Sequence, residues 1–300
     1  MTHVTTTASL REHRPEASNG AFDQRYRIPG YVFGLQTDDR LGPVLDSLLA
    51  PFRTSVGDAG RDHVPIYSIR EIEPGRLAIS VDGRWLADRP GPAGVAEFLM
   101  REMNAADVWR HAEFLVVHAA AACLDGKGLV LPGGEGAGKT TLVAAAVRAG
   151  MDYLTDEAAL FHPETGEVHP FPRPLCMETS CIDLMPDIWD RLPPEYRYPA
   201  RTQYPIRFDD LGSGAIGRPC RVRSVMALDY RRGAGTVLEE IGRAEAVAVL
   251  AQNALNFGSF GGRGLIILKK VVEGAKCYRL QVDDLDEAVD LLMRVLRGMS

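Results

Sequence analysis

The chain has 300 residues, 46% hydrophobic and 25% charged, an ordinary globular composition that gives one or two domains and a sizeable core. Thirty-four basic against 40 acidic residues leave a net charge of -6, without the basic excess that a nucleic-acid partner demands. No apolar run approaches the roughly 18 residues of a membrane helix, and the polar N-terminal stretch lacks the apolar segment of a signal peptide; a soluble, cytoplasmic protein with neither nucleic acid nor membrane as partner is expected.

Residues 1–25 are rich in Thr, Ser, Glu and Arg without apolar periodicity, which predicts a disordered arm. Residues 26–110 read as a small α+β segment. Apolar and polar residues alternate over 31–35, 63–69 and 76–81, and 95–103 has helical spacing. Between them Asp82-Gly83 marks a tight hairpin. From 111 the pattern changes. Residues 114–122 are almost continuously apolar, Asp125-Gly126 signals a second hairpin, and 128–132 is another short apolar strand. A helix over 140–149 stops at Gly150, a strand follows over 153–155, and a turn at Pro163-Glu164-Thr165-Gly166 joins 158–162 to 167–171.

The excess of Pro, Gly and Arg over 186–219 predicts a long surface loop. Beyond it come a strand over 225–229, helices near 244–255 and 265–272, a strand over 277–282 and a closing helix over 285–296. Alternating strands and helices predict an α/β fold. The five cysteines include no C-x-x-C pair and read as ordinary thiols rather than a zinc site.

The chemistry concentrates in Gly133-Gly134-Glu135-Gly136-Ala137-Gly138-Lys139-Thr140, which satisfies G-x-x-x-x-G-K-[ST] and stands between an apolar strand and an apolar helix as a phosphate-binding P-loop requires. Backbone N–H groups of such a loop and the positive end of the following helix hold phosphate oxygens. Lys139 is expected to reach the β- and γ-phosphates, the Thr140 hydroxyl to ligate Mg²⁺, and Thr141 to reach the α-phosphate. Two strands end in an acid suited to a Mg²⁺ site: one leads into Asp156-Glu157, the other into Asp229. No L-S-G-G-Q or N-K-x-D segment is present.

His118-Ala119-Ala120-Ala121, the hairpin, Gly128 through Thr141, Ala149-Gly150-Met151-Asp152-Tyr153-Leu154-Thr155-Asp156-Glu157, Pro170-Phe171-Pro172-Arg173-Pro174-Leu175 and Tyr278-Arg279-Leu280 together resemble the HPr kinase/phosphorylase superfamily. The match is nearest to its smaller HPr-kinase-related members, some of which accompany peptide-modifying systems and phosphorylate serine on a precursor peptide. The resemblance implies a P-loop HPr-kinase-like core with a mixed sheet over 111–300, acting as nucleotide-binding and catalytic domain. It implies that His118 orients or tunes the acidic pair, that Asp156 is the general base, and that Glu157 is the second carboxylate near Mg²⁺. The pair is Asp-Glu here where the family has Asp-Asp, so the two roles can be exchanged. A Glu-x-Arg-Gly stretch is missing, and 26–110 does not resemble the family's regulatory domain; HPr is not the expected acceptor. Arg173, Arg231, Arg232 and Arg263 fall in or beside predicted loops and read as solvated surface residues.

The resulting expectation is an ATP- and Mg²⁺-dependent kinase acting on a hydroxyl, that of serine in a peptide or small protein. GTP in place of ATP and a homo-oligomeric state stay open. A non-catalytic nucleotide-binding module in peptide or cofactor maturation is the first alternative, a small-molecule kinase the second.

Overall fold

The computed structural model describes residues 22–55, 63–104, 109, 113–197, 203–212 and 214–299. Its first sheet has six strands, β1 (Phe22–Ile28), β2 (Tyr31–Thr37), β3 (Arg53–Thr54), β4 (Ile66–Glu73), β5 (Arg76–Val81) and β6 (Arg84–Pro90), in the order β3-β1-β2-β4-β5-β6. Only the β2–β4 pair is parallel. Helices α1 (Leu41–Leu49) and α2 (Gly91–Met103) cover it, and Leu41, Leu45, Leu49, Val95, Phe98 and Leu99 share one core with Tyr26, Phe33, Leu35 and Ile79. These helical residues recur every three or four positions, so each helix turns one apolar stripe inward.

The arm expected over 1–25 is corrected at its end. Phe22 to Arg25 already pair with Thr37 to Gly34, because Phe22, Tyr26 and Ile28 lie on one face of the strand while Asp23 and Arg25 form an ion pair on the other. Residues 1–21, the rest of that expected arm, lie outside the described residues.

The second sheet is mixed and has eight strands: β7 (Leu115–Leu124), β8 (Lys127–Pro132), β9 (Asp152–Thr155), β10 (Ala158–Phe161), β11 (Val168–His169), β14 (Arg221–Tyr230), β15 (Val237–Glu240) and β16 (Lys276–Val282). Its order is β11-β10-β7-β8-β14-β16-β15, with β9 also on β7. The β8–β14 and β14–β16 pairs are parallel. Strands β12 (Leu175–Glu178) and β13 (Gln203–Ile206) form a separate antiparallel pair.

Helices α3 (Lys139–Arg148) and α6 (Leu285–Arg297) bury Leu142, Val143 and Leu292 with Ala120, Ala122 and Leu131 of the sheet. Helices α4 (Arg243–Gln252) and α5 (Gly262–Glu273) bury Leu250, Ile267 and Leu268 with Val117, Ala119, Ala121 and Val130. Strand β7 is therefore covered on both faces, which is why its sequence reads as a continuous apolar run. Four consecutive residues of this strand, Ala119 to Ala122, are fully buried alanines. At its far end Asp125 and Gly126 both adopt positive φ, 50° and 75°, the conformation a two-residue hairpin turn needs for its twist to match the strands.

The surface loop expected over 186–219 is also corrected. That stretch contains a short helix at Asp187–Arg191, 3-10 turns at Pro194–Tyr196 and Phe208–Leu211, and strand β13. It buries Ile188, Leu192, Tyr196, Tyr204, Ile206 and Leu211 in the core beneath α3. Pro186, Pro193 and Pro194 open short helical turns and Pro205 lies within β13, all between apolar anchors, so their number did not signal exposure. Residues 198–202 and 213 lie outside the described residues. Among the described residues no helix is long and apolar enough to cross a membrane.

Candidate active site

Strand β8 runs into Gly133, and α3 begins at Lys139. In the connecting loop Gly136 and Gly138 have φ of 74° and 86°, a region that side-chain-bearing residues seldom enter. Gly138 caps α3 with no side-chain hydrogen bond to the first helical N–H groups, leaving those donors available to an anion. Lys139 is buried, and its Nζ donates to the carbonyls of Gly133 at 2.9 Å and Gly134 at 2.8 Å. The ammonium is thus folded back over the loop. Burial lowers its pKa from the ordinary lysine value, with Glu157, Asp156 and Glu135 acting in the opposite sense.

Strand β9 pairs with Cys123 to Ala121 of β7 and β10 with His118 to Leu115, so the bend between β9 and β10 falls beside the middle of β7. That bend is Asp156-Glu157. The backbone N–H of Ala119 donates to the Glu157 carbonyl at 3.1 Å and fixes it there. The sequence-predicted residues His118, Lys139, Thr140, Asp156 and Glu157 are thereby brought to one end of the sheet. Thr140 Oγ1 donates to Asp156 Oδ2 at 3.3 Å. His118 Nε2 lies 3.4 Å from Glu157 Oε1. Burial lowers the His118 pKa from the ordinary histidine value, opposed by Glu157.

The two acids differ in depth: Asp156 is 1% exposed, whereas the Glu157 side chain is 31% exposed. Burial raises the Asp156 pKa above the ordinary aspartate value, with Arg173 opposing. Tyr153 Oη is within hydrogen-bond distance of both Asp156 Oδ1, at 3.2 Å, and the Arg173 carbonyl, at 3.1 Å. The Thr141 Oγ1 donates to Cys181 Sγ at 2.9 Å.

Arg173 corrects the sequence reading. It is 2% exposed instead of solvated, and its Nη2 lies 3.3 Å from both Asp156 Oδ1 and Glu157 Oε2. Burial works against its charge, yet Asp156 heads the neighbours that hold its pKa above the ordinary arginine value. The signal available in sequence was its setting, a single cation between Pro172 and Pro174 inside an apolar stretch. Arg231, Arg232 and Arg263 are exposed, as expected of them. Asp229 is the penultimate residue of β14, the strand paired with β8, and forms an ion pair with Arg231 at 2.8 Å.

Thr140, Asp156 and Glu157 offer only hard oxygen donors, which suit Mg²⁺. Among the described residues no group of three or more His, Cys, Asp and Glu is arranged to hold a metal ion; a cation here would complete its shell with oxygens from phosphate or water. A cavity of about 300 Å³ lined by Lys276, Tyr278, Leu291 and Arg294 lies elsewhere, towards the Leu296 end of α6, whose carbonyl accepts from Lys127 at the start of β8.

No family model matches the sequence, and no curated protein sequence matches it. Among solved structures the chain is similar to the Hpr(Ser) kinase/phosphatase from Coxiella burnetii, at 11% sequence identity and a TM-score of 0.32, over 61% of this chain and 94% of that one. The likeness is a distant structural one.

Proposed function

We propose that the chain is an ATP- and Mg²⁺-dependent kinase that transfers the γ-phosphoryl group to a serine hydroxyl of a peptide or small protein. One observation carries the reading: the glycine loop with Lys139 and Thr140 meets two carboxylates and an imidazole, more than nucleotide binding alone requires. Lys139 would exchange its two carbonyl partners for phosphate oxygens, and the loop N–H groups would hold the remaining charge. Thr140 and Asp156 are the residues suited to hold Mg²⁺, which when bound would neutralise charge on the phosphate oxygens.

The contacts favour the exchanged roles for the two acids. Asp156 is buried against the Thr140 hydroxyl, which suits the metal side. Glu157 opens to solvent beside His118, so an arriving hydroxyl meets it first. As the serine oxygen bonds to the γ-phosphorus and the bridging P–O bond to ADP breaks, Glu157 takes the serine proton. A side chain reached from the surface suits an acceptor presented on an extended peptide.

Mass spectrometry of candidate serine peptides after incubation with Mg-ATP tests this reading. A gain of one phosphate is expected, and nucleotide-dependent association without that gain would select the binding module instead. Glu157→Gln should keep nucleotide affinity and lower transfer by about 100- to 10,000-fold, the usual contribution of a positioned base; equal loss of affinity and transfer would remove the assigned role.

A further inference from the structure

Arg173 is held more rigidly than its position in a connecting segment requires. Phe171 packs on Trp109 and Phe52 with ring centroids 5.2 Å and 5.3 Å apart, and its N–H donates to the Leu154 carbonyl at 2.8 Å. The prolines at 172 and 174 fix their own φ and restrict the residues before them. The Arg173 N–H donates to the Phe171 carbonyl at 2.9 Å, and its carbonyl is within reach of the Tyr153 hydroxyl. Backbone and side chain are thus aimed before any ligand arrives.

The guanidinium is also incompletely used. Nη2 meets both acids, Nη1 lies 3.6 Å from Cys176 Sγ, and Nε has no hydrogen-bond partner although it is buried. A buried cation is expensive, and an arrangement evolved for stability would satisfy every donor or replace the ion pair by apolar packing. What this geometry achieves is a fixed spacing of the acids. Nη2 is nearest Oδ1 of Asp156 and Oε2 of Glu157, while Asp156 Oδ2 accepts from Thr140 and Glu157 Oε1 faces His118.

We propose that Arg173 is a positioning residue, a fixed internal counter-ion that holds Asp156 against Thr140 and Glu157 against His118 so that the acids do not swing apart by mutual repulsion. This rests on the kinase reading for the purpose of the arrangement. It assigns to Arg173 no contact with nucleotide or acceptor.

The affinity of a fluorescent ATP analogue, measured with Mg²⁺ and with EDTA, separates this role from a general one. In Arg173→Met the affinity in EDTA should stay within about twofold of wild type, because the loop and Lys139 are untouched. The Mg²⁺-dependent gain and the transfer rate should each fall by on the order of 100-fold, the penalty of an ångström-scale misplacement. Arg173→Lys keeps the charge on a shorter stem; it should fold where Arg173→Met does not, and still lose the Mg²⁺-dependent gain. In Arg173→Ala, added guanidinium at concentrations that leave the melting temperature unchanged should restore part of that gain. An unchanged Mg²⁺-dependent gain in both the Met and Lys variants overturns the proposal, as does an equal loss of affinity in EDTA and in Mg²⁺. A wild-type chain with Mg²⁺-dependent affinity but no phosphoryl transfer overturns the kinase reading alone, leaving the positioning role tested by affinity.

Discussion

Both sheets bring opposite charges together, and the depth differs from pair to pair. In the first, Arg40 meets Glu71 at 2.8 Å and Arg76 meets Asp88 in water, the latter pair joining β5 to the edge strand β6. In the second, Arg173 meets Asp156 where both are nearly inaccessible. Pairs in water are screened and contribute little, but charges along a sheet edge discourage pairing with other chains. Buried pairs are expensive to assemble and costly to break on one side only. The same residue types thus serve solubility where they are exposed and geometry where they are buried, and depth is the observation that separates the two.

The largest expected effects test whether the two regions stand on comparable cores. Leu142→Ala beneath the glycine loop and Ile79→Ala in the first sheet each remove a fully buried side chain and should cost about 2–5 kcal/mol in urea unfolding. The core of the first sheet includes Val116, Ala158 and Leu160 of the second, so both variants should shift one shared transition; two separate transitions would break that continuity. Lys139→Ala should weaken ATP binding by about 10- to 100-fold, the range for hydrogen bonds to a charged group. Isothermal titration reads this directly, and unchanged affinity would remove Lys139 from the site. Tyr153→Phe takes one donor from a buried carboxylate and should destabilise by about 1–3 kcal/mol in thermal or chemical melts. At the bottom of the scale, Arg76→Ala should leave the melting temperature unchanged, since its partner remains solvated; a large shift would show that the surface pairs are not the minor contributors described here.

Much of the scaffold was legible because local chemistry and tertiary packing agree. Asp82-Gly83 and Asp125-Gly126 announce hairpins, and all four residues adopt positive φ. The apolar run over β7, the glycine loop and the Ala-rich helix after it follow one another in sequence and in space. Residues paired through tertiary structure were harder to read. The one local sign that Arg173 is buried is its apolar, proline-flanked setting; its partners are not local, and it meets them only because 171–174 crosses beside the β9–β10 bend. Strand β1 was hidden by Asp23, Arg25 and Arg27 on its polar face. The 186–219 stretch was misread because proline content was weighed above its widely spaced buried anchors. Asp229 lies one residue before the end of its strand, close to where the sequence pattern put the end, yet its ion pair with Arg231 could not be inferred from strand pattern.

The row of alanines in β7 has a mechanical consequence. A methyl group has no rotamers, so between Ala119 and Ala122 the thickness of this layer is set by backbone geometry and does not fluctuate with side-chain hopping. The helix carrying Lys139 rests on one side of that layer, and the bend carrying the acids is hydrogen-bonded to its edge. Their separation is gauged as by a machinist's shim, and any bulkier residue in the row would change the gauge before it changed the chemistry.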